Sequence, residues 1–150
     1  MEMIYRASME DLEGVARLFQ AYREFYQQES DLEVAKRYIK ERLQNNDSVI
    51  FVAKSEDMLI GFVQLYPTFS SVSVSKAWIL NDLYVDRAAR NRGIGAVLLD
   101  KAKGYAMDTG ANSISLSTAP DNFNAQRLYE KHGYQLDTQF LHYELNLDKI

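Results

Sequence analysis

The chain has 150 residues, of which 47% are hydrophobic and 25% are charged, and its formal net charge is -4. These values fit one ordinary globular domain, and the acidic balance argues against a general nucleic-acid-binding role. The sequence contains no cysteine, which excludes disulfides, cysteine-ligated zinc and a catalytic thiol.

The N-terminal segment is charged from Glu2 onward and has no apolar core of the kind found in signal peptides. No apolar run approaches the roughly 18 residues that a membrane span requires. We therefore expect a cytoplasmic protein without a membrane partner. The sequence shows no repeat or linker, so residues 1–150 are predicted to form a single domain.

The first part of the chain is patterned as one strand followed by two helices. Residues 3–7 predict a short strand, and Ser8 with Asp11 has the spacing of a capping box at the start of the first helix. Apolar residues then recur at helical spacing from residue 12 to residue 26. Ser30 and Glu33 give a second cap signal, and the following helix is expected to end in the polar run at residues 44–47.

Three strands are predicted next. Residues 49–55 and 59–66 are rich in β-branched and aromatic side chains, and the turn between them predicts a hairpin that Pro67 closes. Residues 68–77 are rich in serine and only weakly patterned, which fits an exposed loop or a ragged edge strand. Residues 78–85 form the clearest strand of the chain.

A glycine-containing turn separates this strand from a third helix, which is expected to end near Gly110. Residues 113–118 predict another strand. A short fourth helix follows at residues 125–133, with Gly133 as its stop signal.

Two strands are predicted to complete the chain, at residues 134–137 and 140–147, the second with clear alternation. The order of elements is not the strict strand–helix alternation of a doubly wound fold. Three consecutive strands imply antiparallel pairing, whereas the strand–helix–strand unit at residues 78–118 implies one parallel crossover. The fold class is therefore α/β of the mixed α+β kind, with a mostly antiparallel sheet of about six to seven strands and about four helices.

The turn at Arg90-Asn91-Arg92-Gly93-Ile94-Gly95 has the features of an anion site. The start of a helix presents about four unpaired N–H groups and a partial positive charge. Gly93 and Gly95 lack the Cβ atoms that would block a close approach, while Arg90 and Arg92 add positive charge. The alternative is a tight strand-to-helix turn with solvated arginines.

Other phosphate-binding motifs match this turn less well. The glycine-lysine pattern of a P-loop is absent, and Leu98 occupies the third glycine position of a dinucleotide fingerprint. A nucleotide-phosphate site on an unrelated α/β scaffold remains one interpretation of the turn.

The same stretch is similar to the [RQ]-x-x-G-x-[GA] signature of the GCN5-related N-acetyltransferases, the GNAT family. A second block, NFNAQRLYEKHGY at residues 122–134, resembles a downstream motif of that family, and the two blocks occur in the expected order. The resemblance covers nearly the whole chain. Within the family, the sequence looks most like the small polyamine, histone and amino-acid acetyltransferases.

The resemblance implies that the chain binds acetyl-CoA, releases CoA and uses no metal. In the family, the pyrophosphate lies on the backbone amides of the turn, and the pantetheine arm runs beside the preceding strand. The positions of this chain that match those contacts are Leu83, Tyr84, Val85, Arg90, Asn91, Arg92, Gly93, Ile94, Gly95 and Ala96, followed by Asn122, Ala125 and Tyr129.

Two positions receive catalytic roles from the resemblance. The N–H of Val85 would stabilise the oxyanion that forms on the thioester oxygen. Tyr129 matches a tyrosine placed near the thioester sulfur and would donate a hydrogen bond to the leaving thiolate. The alternatives are a core aromatic for Tyr129 and a helix N-cap for Asn122.

A base for the acceptor amine is harder to assign. Some relatives, including polyamine acetyltransferases, carry a glutamate on the matching strand, but the corresponding residue here is Asn81, which cannot act as a base. Strand alternation points the neighbouring Asp82 to the opposite face. A water chain ending on Glu24, Glu29 or Asp82 is the remaining route for the proton.

The acceptor is expected to bind between the first two helices and the middle of the sheet. Aromatic side chains and carboxylates in that region would suit a cationic amine. The alternative is a helix with a solvated acidic face. The candidate substrate-binding residues are Tyr22, Glu24, Tyr26, Asn81 and Asp82.

The sequence thus predicts acetyl-CoA-dependent transfer of an acetyl group to a primary amine of a small molecule or a protein. The alternative function is a catalytically impaired acyl-CoA-binding module, which the asparagine at position 81 would explain. Residues 140–147 could also pair across a homodimer, as the corresponding strand does in some relatives.

Overall fold

The computed structural model describes residues 2–29 and 31–149. The chain forms two compact units, Met1–Ser117 and Thr118–Ile150. The single domain expected from the sequence stays a prediction. Among the described residues, no helix is both long enough and apolar enough to cross a membrane.

The first unit contains the sheet and three of the helices. Its elements are, in chain order, β1 (Glu2–Arg6), α1 (Leu12–Phe25), α2 (Leu32–Asn45), β2 (Val49–Ser55), β3 (Met58–Ser70), β4 (Ser75–Val85), α3 (Ile94–Asp108) and β5 (Ile114–Ser115). The second unit contains α4 (Phe123–Lys131) and a short 3-10 turn at Leu147–Lys149.

Capping side chains explain where the first two helices begin. The carboxylate of Asp11 accepts a hydrogen bond from the Ser8 N–H at 3.0 Å, in a 3-10 turn that leads into α1. Asp31 caps α2 by accepting from the N–H groups of Glu33 and Val34. Ser30, the expected second cap, lies outside the described residues.

The strand order is β1-β2-β3-β4-β5, and every neighbouring pair is antiparallel except the parallel pair β4–β5. This confirms the mixed, mostly antiparallel sheet and the single parallel crossover. The four helices are also confirmed.

The sheet has five strands, fewer than the six to seven expected. Residues 134–137 and 140–147 are not assigned to strands. The alternating side chains of Leu141, Tyr143 and Leu145 are all exposed. Alternation specifies a strand only where one face becomes buried, which explains why the pattern misled the prediction.

The hairpin of β3 and β4 is longer than the sequence indicated. β3 continues through Pro67, which pairs with Trp78, so Pro67 does not close the preceding hairpin. Beyond Leu65, which pairs with Val49, β3 has left the end of β2. Proline is tolerated at that position because the strand there has only one neighbour to bond.

Within the first unit, α1 and α2 pack on one face of the sheet and α3 packs on the other. Leu18 of α1 and Ile39 of α2 are fully buried in one cluster with Phe62 of β3. The other face of β3 meets α3 at Gly61, where a Cβ would lie 3.3 Å from Leu98. Successive side chains of β3 and β4 therefore face α1 and α3 in turn.

We predict that Gly61→Val destabilises the protein by about 1–3 kcal/mol, the usual cost of overpacking a core. A Cβ at this position would lie 3.1 Å from the carbonyl oxygen of Tyr84 and 3.4 Å from Ile94 at the start of α3. Denaturant unfolding measures the change. The control is Gly104→Ala in α3, where a Cβ meets nothing within 4 Å and should add about 0.5–1 kcal/mol. Equal stability of the Gly61 variant and the wild type would contradict this packing.

Candidate active site

The turn between β4 and α3 has a backbone shape that few residues adopt. A 3-10 turn at Arg87–Ala89 follows β4, and Asn91 and Gly93 then take positive φ angles of 67° and 77°. A Cβ on Gly93 would meet no other atom within 4 Å, so glycine is needed there for its φ rather than for room within the protein.

The start of α3 presents backbone donors that the protein leaves unpaired. Val97 is the first residue here whose N–H makes a helical hydrogen bond, and it donates to the Gly93 carbonyl at 3.1 Å. Within residues 2–29 and 31–149, the N–H groups of Ile94, Gly95 and Ala96 have no acceptor. Three such donors at the positive end of a 15-residue helix fit a phosphate group.

The two arginines of the turn both interact with other parts of the first unit. The Nε of Arg90 donates to the Val85 carbonyl at 2.8 Å, and its guanidinium lies over the rings of Tyr84 and Phe25. Arg92 lies 4.0 Å from the carboxylate of Glu2. Because both side chains have partners, the backbone N–H groups are the main feature of this turn available to an anion.

The last part of β4 has an open edge. Among the described residues of the first unit, β5 pairs with β4 at Trp78 and Ile79 alone, so β4 continues beyond the end of its parallel neighbour. Asp86 N–H donates to the Ile60 carbonyl at 2.8 Å. In an antiparallel pair of strands, the main-chain groups of successive residues point alternately toward and away from the partner strand. Since Asp86 bonds to β3, the N–H and C=O groups of residues 83 and 85 point away from β3.

These outward-facing groups belong to Leu83 and Val85, two of the positions expected to contact pantetheine. The main chain of Tyr84 instead faces its partner Phe62 on β3. The open edge therefore offers hydrogen-bonding groups at alternate residues, as an added extended strand requires.

A register shift interrupts β4 just before this edge. Leu80 pairs with Leu65 and Asp82 pairs with Gln64, which leaves Asn81 as the extra residue of a bulge. Asn81 is exposed, whereas Asp82 is only 3% exposed. The expectation that Asp82 points away from the acceptor region is wrong, because Asp82 lies on the face that packs against α1.

Three side chains hold the carboxylate of Asp82. Gln64 Nε2 donates to its Oδ2 at 2.5 Å and Asn81 Nδ2 donates to its Oδ1 at 3.1 Å. The hydroxyl of Tyr22, which lies 3.3 Å from the Asn81 carbonyl oxygen, also hydrogen-bonds to the carboxylate. Burial nevertheless raises the pKa of Asp82, since loss of solvation outweighs these bonds. A buried carboxylate with a raised proton affinity is suited to accept a proton.

Aromatic rings surround this carboxylate on the α1 face. The ring of Tyr22 lies 5.0 Å from that of Tyr26 and 6.4 Å from that of Tyr84, measured between centroids. Burial and the negative charge of Asp82 raise the pKa of Tyr26. Glu24 and Glu29 are exposed. The structure thus brings together Tyr22, Tyr26, Asn81 and Asp82 among the predicted acceptor residues.

Gln64 and Ser48 are polar residues of this region that the sequence analysis did not select. Ser48 Oγ donates to Gln64 Oε1 at 2.9 Å, and both side chains are buried. The signal in the sequence was a lone glutamine in the otherwise apolar run at residues 59–66. A buried amide requires partners for both its N–H and C=O groups, so such a residue points to a polar neighbour.

The remaining predicted residues lie in the second unit. Asn122 Oδ1 accepts from Ala125 N–H at 3.2 Å, so Asn122 is the N-cap of α4. The ring of Tyr129 lies 5.9 Å from that of Tyr134. Burial raises the pKa of Tyr134, whose hydroxyl has no hydrogen-bond partner in the part of the chain that the structure describes.

No group of three or more potential metal ligands occurs among the described residues.

We predict that Asp82→Asn becomes progressively more stable than the wild type as the pH rises. The pKa of Asp82 is raised on folding, so its contribution to the free energy of unfolding is lost between the ordinary aspartate range and the raised value. The asparagine does not titrate and avoids this loss. Urea unfolding at several pH values measures the difference, and a difference that stays constant with pH would contradict a raised pKa.

Comparisons with known proteins identify the family of the chain. The family model for the acetyltransferase (GNAT) family matches residues 12–134. An uncharacterized N-acetyltransferase of Bacillus subtilis (strain 168), YhfO, is 49% identical over 96% of this chain and 97% of its own length. The crystal structure of a probable acetyltransferase superposes with a TM-score of 0.92 at 42% identity and covers 97% of both chains.

A further solved structure, a predicted acetyltransferase with acetyl-CoA from Clostridium acetobutylicum, has the same fold. Its TM-score is 0.80 at 20% identity, covering 100% of this chain and 99% of its own. The match to the family model and the two closer relatives show the family directly. The chain belongs to the GNAT family of N-acetyltransferases.

Proposed function

We propose that this chain transfers the acetyl group of acetyl-CoA to a primary amine of a small molecule or a protein, by direct attack of the amine on the thioester. The observation that carries the proposal is the arrangement of β4. Its bulge places the buried carboxylate of Asp82 on the α1 face, and its open edge leads into the unpaired amides of α3.

Acetyl-CoA would bind mainly through the backbone. The N–H groups of Ile94, Gly95 and Ala96 would hold the pyrophosphate within the turn that begins at Arg90. The main chain of Leu83 and Val85 would hold the pantetheine arm as an added strand. Asn122, Ala125 and Tyr129 are further cofactor-binding residues in this proposal, on the strength of the family motif.

The carbonyl of Val85 already has a hydrogen-bond donor within the protein. Arg90 donates to it, and the same side chain covers Tyr84. A carbonyl cannot donate a hydrogen bond, so the N–H of Val85 is the main-chain group that would serve as the oxyanion donor.

The chemical roles follow from the groups available. When bound, acetyl-CoA supplies the acetyl group as a thioester. Asp82 accepts a proton from the ammonium form of the acceptor, which frees the nitrogen lone pair. The Val85 N–H stabilises negative charge on the carbonyl oxygen. Tyr129 would donate a hydrogen bond to the departing thiolate, and the second proton that the attacking nitrogen loses as the amide forms is taken up by that thiolate to give CoA.

The acceptor is proposed to be a cationic amine. The carboxylate of Asp82 attracts the ammonium group, and the rings of Tyr22 and Tyr26 present faces that stabilise a cation. Asn81 and Glu24 complete the proposed acceptor site.

A cytoplasmic location and a homodimer are also proposed. The exposed alternating side chains of residues 140–147 support pairing with a second copy. No nucleic-acid partner is proposed, in keeping with the net charge of -4.

We expect Gly93→Val to weaken acetyl-CoA binding about tenfold or more, and Arg92→Ala to weaken it less. Valine at a φ of 77° is strained and would distort the amides, whereas Arg92 contributes only a side-chain charge. Calorimetric titration with acetyl-CoA measures both. Gly93→Asn is the matched control, since asparagine tolerates a positive φ and should bind better than the valine variant. A larger loss for Arg92→Ala would contradict backbone recognition.

A thiol-release assay tests catalysis across polyamines, amino acids, aminoglycosides and histone peptides. We expect CoA release with at least one amine, and about a 10²–10⁴-fold lower kcat for Asp82→Asn, the usual effect of losing a general base. Tyr129→Phe should lower kcat with little change in acetyl-CoA affinity. Unchanged kcat in either variant would contradict the role given to that residue. Binding of acetyl-CoA without CoA release for any amine would favour the acyl-CoA-binding module.

A further inference from the structure

A row of three buried polar side chains runs from the beginning of β2 to β4. Ser48 Oγ donates to Gln64 Oε1 at 2.9 Å, and Gln64 Nε2 donates to Asp82 Oδ2 at 2.5 Å. Their exposed fractions are 7% for Ser48, 0% for Gln64 and 3% for Asp82. The row is buried in the first unit, where a polar group left without a hydrogen-bond partner is costly.

The amide of Gln64 fixes which atom donates and which accepts along this row. The NH2 group of Gln64 only donates, its oxygen only accepts, and an ionised carboxylate only accepts. If the amide were rotated by half a turn, Gln64 Oε1 would face the carboxylate of Asp82 and the two oxygens would repel each other. A hydroxyl can also accept from an NH2 group, so the carboxylate of Asp82 selects this orientation, and the hydroxyl of Ser48 fixes the amide in it by donating to Oε1.

We propose that Gln64, oriented by Ser48, is a positioning residue that keeps the carboxylate of Asp82 ionised and fixed in direction for proton acceptance. The inference rests on the proposed function, in which Asp82 is the base. It goes beyond that function by assigning a role to two residues outside the acceptor and cofactor contacts. Neither residue touches the acceptor in this account, and both act through Asp82.

Other groups around the carboxylate do not replace this pair. The hydroxyl of Tyr22 and the amide of Asn81 also donate to Asp82, and both bonds favour its charged form, as does the bond from Gln64. Gln64 differs because its own partner is buried and sets its orientation. The titratable groups near the carboxylate are Tyr22 and Tyr26 of α1, Tyr66 of β3 and, behind Tyr66, Tyr38 and Arg42 of α2.

The test compares Ser48→Ala, Ser48→Thr and Gln64→Met. Methionine keeps the length of glutamine and removes the donor, so the pKa of Asp82 should rise by about one to two pH units, the shift expected for losing a hydrogen bond to a charged group. Ser48→Ala leaves Gln64 Oε1 without its donor, so the amide is held only at its Asp82 end and the pKa of Asp82 should rise by a smaller amount. Ser48→Thr retains the hydroxyl and should restore the wild-type titration.

The readout is the ¹³C titration of the Asp82 side-chain carboxyl in the free protein, which needs no acceptor and no knowledge of the reaction. The pH profile of kcat/KM for an active amine is measured beside it. An upward shift in both, with rescue by threonine, supports the inference. Equal titrations of Asp82 in the wild type and Ser48→Ala would overturn it, even if Gln64→Met failed to fold.

The two readouts separate this inference from the proposed function. A shifted Asp82 titration with an unshifted pH profile would support the positioning role and contradict the role of Asp82 as the base. A loss of activity in Ser48→Ala that Ser48→Thr does not rescue, with no change in the Asp82 titration, would show a packing effect and overturn the positioning role.

Discussion

The course of β4 is the constraint on which the rest of the site depends. Its parallel pairing with β5 stops at Ile79, a bulge follows at Asn81, and the strand then continues with one edge open to Val85. The bulge sets the direction of Asp82, and the open edge exposes main-chain groups. Both halves of the proposed reaction are thus arranged along one continuous strand.

Burying the carboxylate of Asp82 costs free energy because its charged form loses solvation. The surrounding residues offset only part of this cost. Three donors favour its charged form, yet burial still raises the pKa of Asp82. A fully compensated carboxylate would be a poor proton acceptor, and an uncompensated one would be protonated and unable to accept. The combination of Gln64, Tyr22 and Asn81 gives an intermediate environment, which suits a base.

Much of the fold could be predicted from the sequence, because local patterns determine it. The strand at residues 78–85, the glycine turn and the cap at Asn122 are all signalled by adjacent residues. The direction of Asp82 was not predictable from alternation, since one bulge residue reverses it. Gln64 and Ser48 were missed because residues distant in the chain form their contact. The C-terminal strands were overpredicted because alternation alone does not supply a pairing partner.

The most direct test of the central claim is a crystal structure of the protein with CoA. We expect pyrophosphate oxygens about 2.7–3.2 Å from the amide nitrogens of Ile94, Gly95 and Ala96, with the pantetheine arm bonded to the main chain of Leu83 and Val85. A pyrophosphate bound away from the start of α3, or a pantetheine arm that leaves the open edge of β4 unpaired, would contradict it.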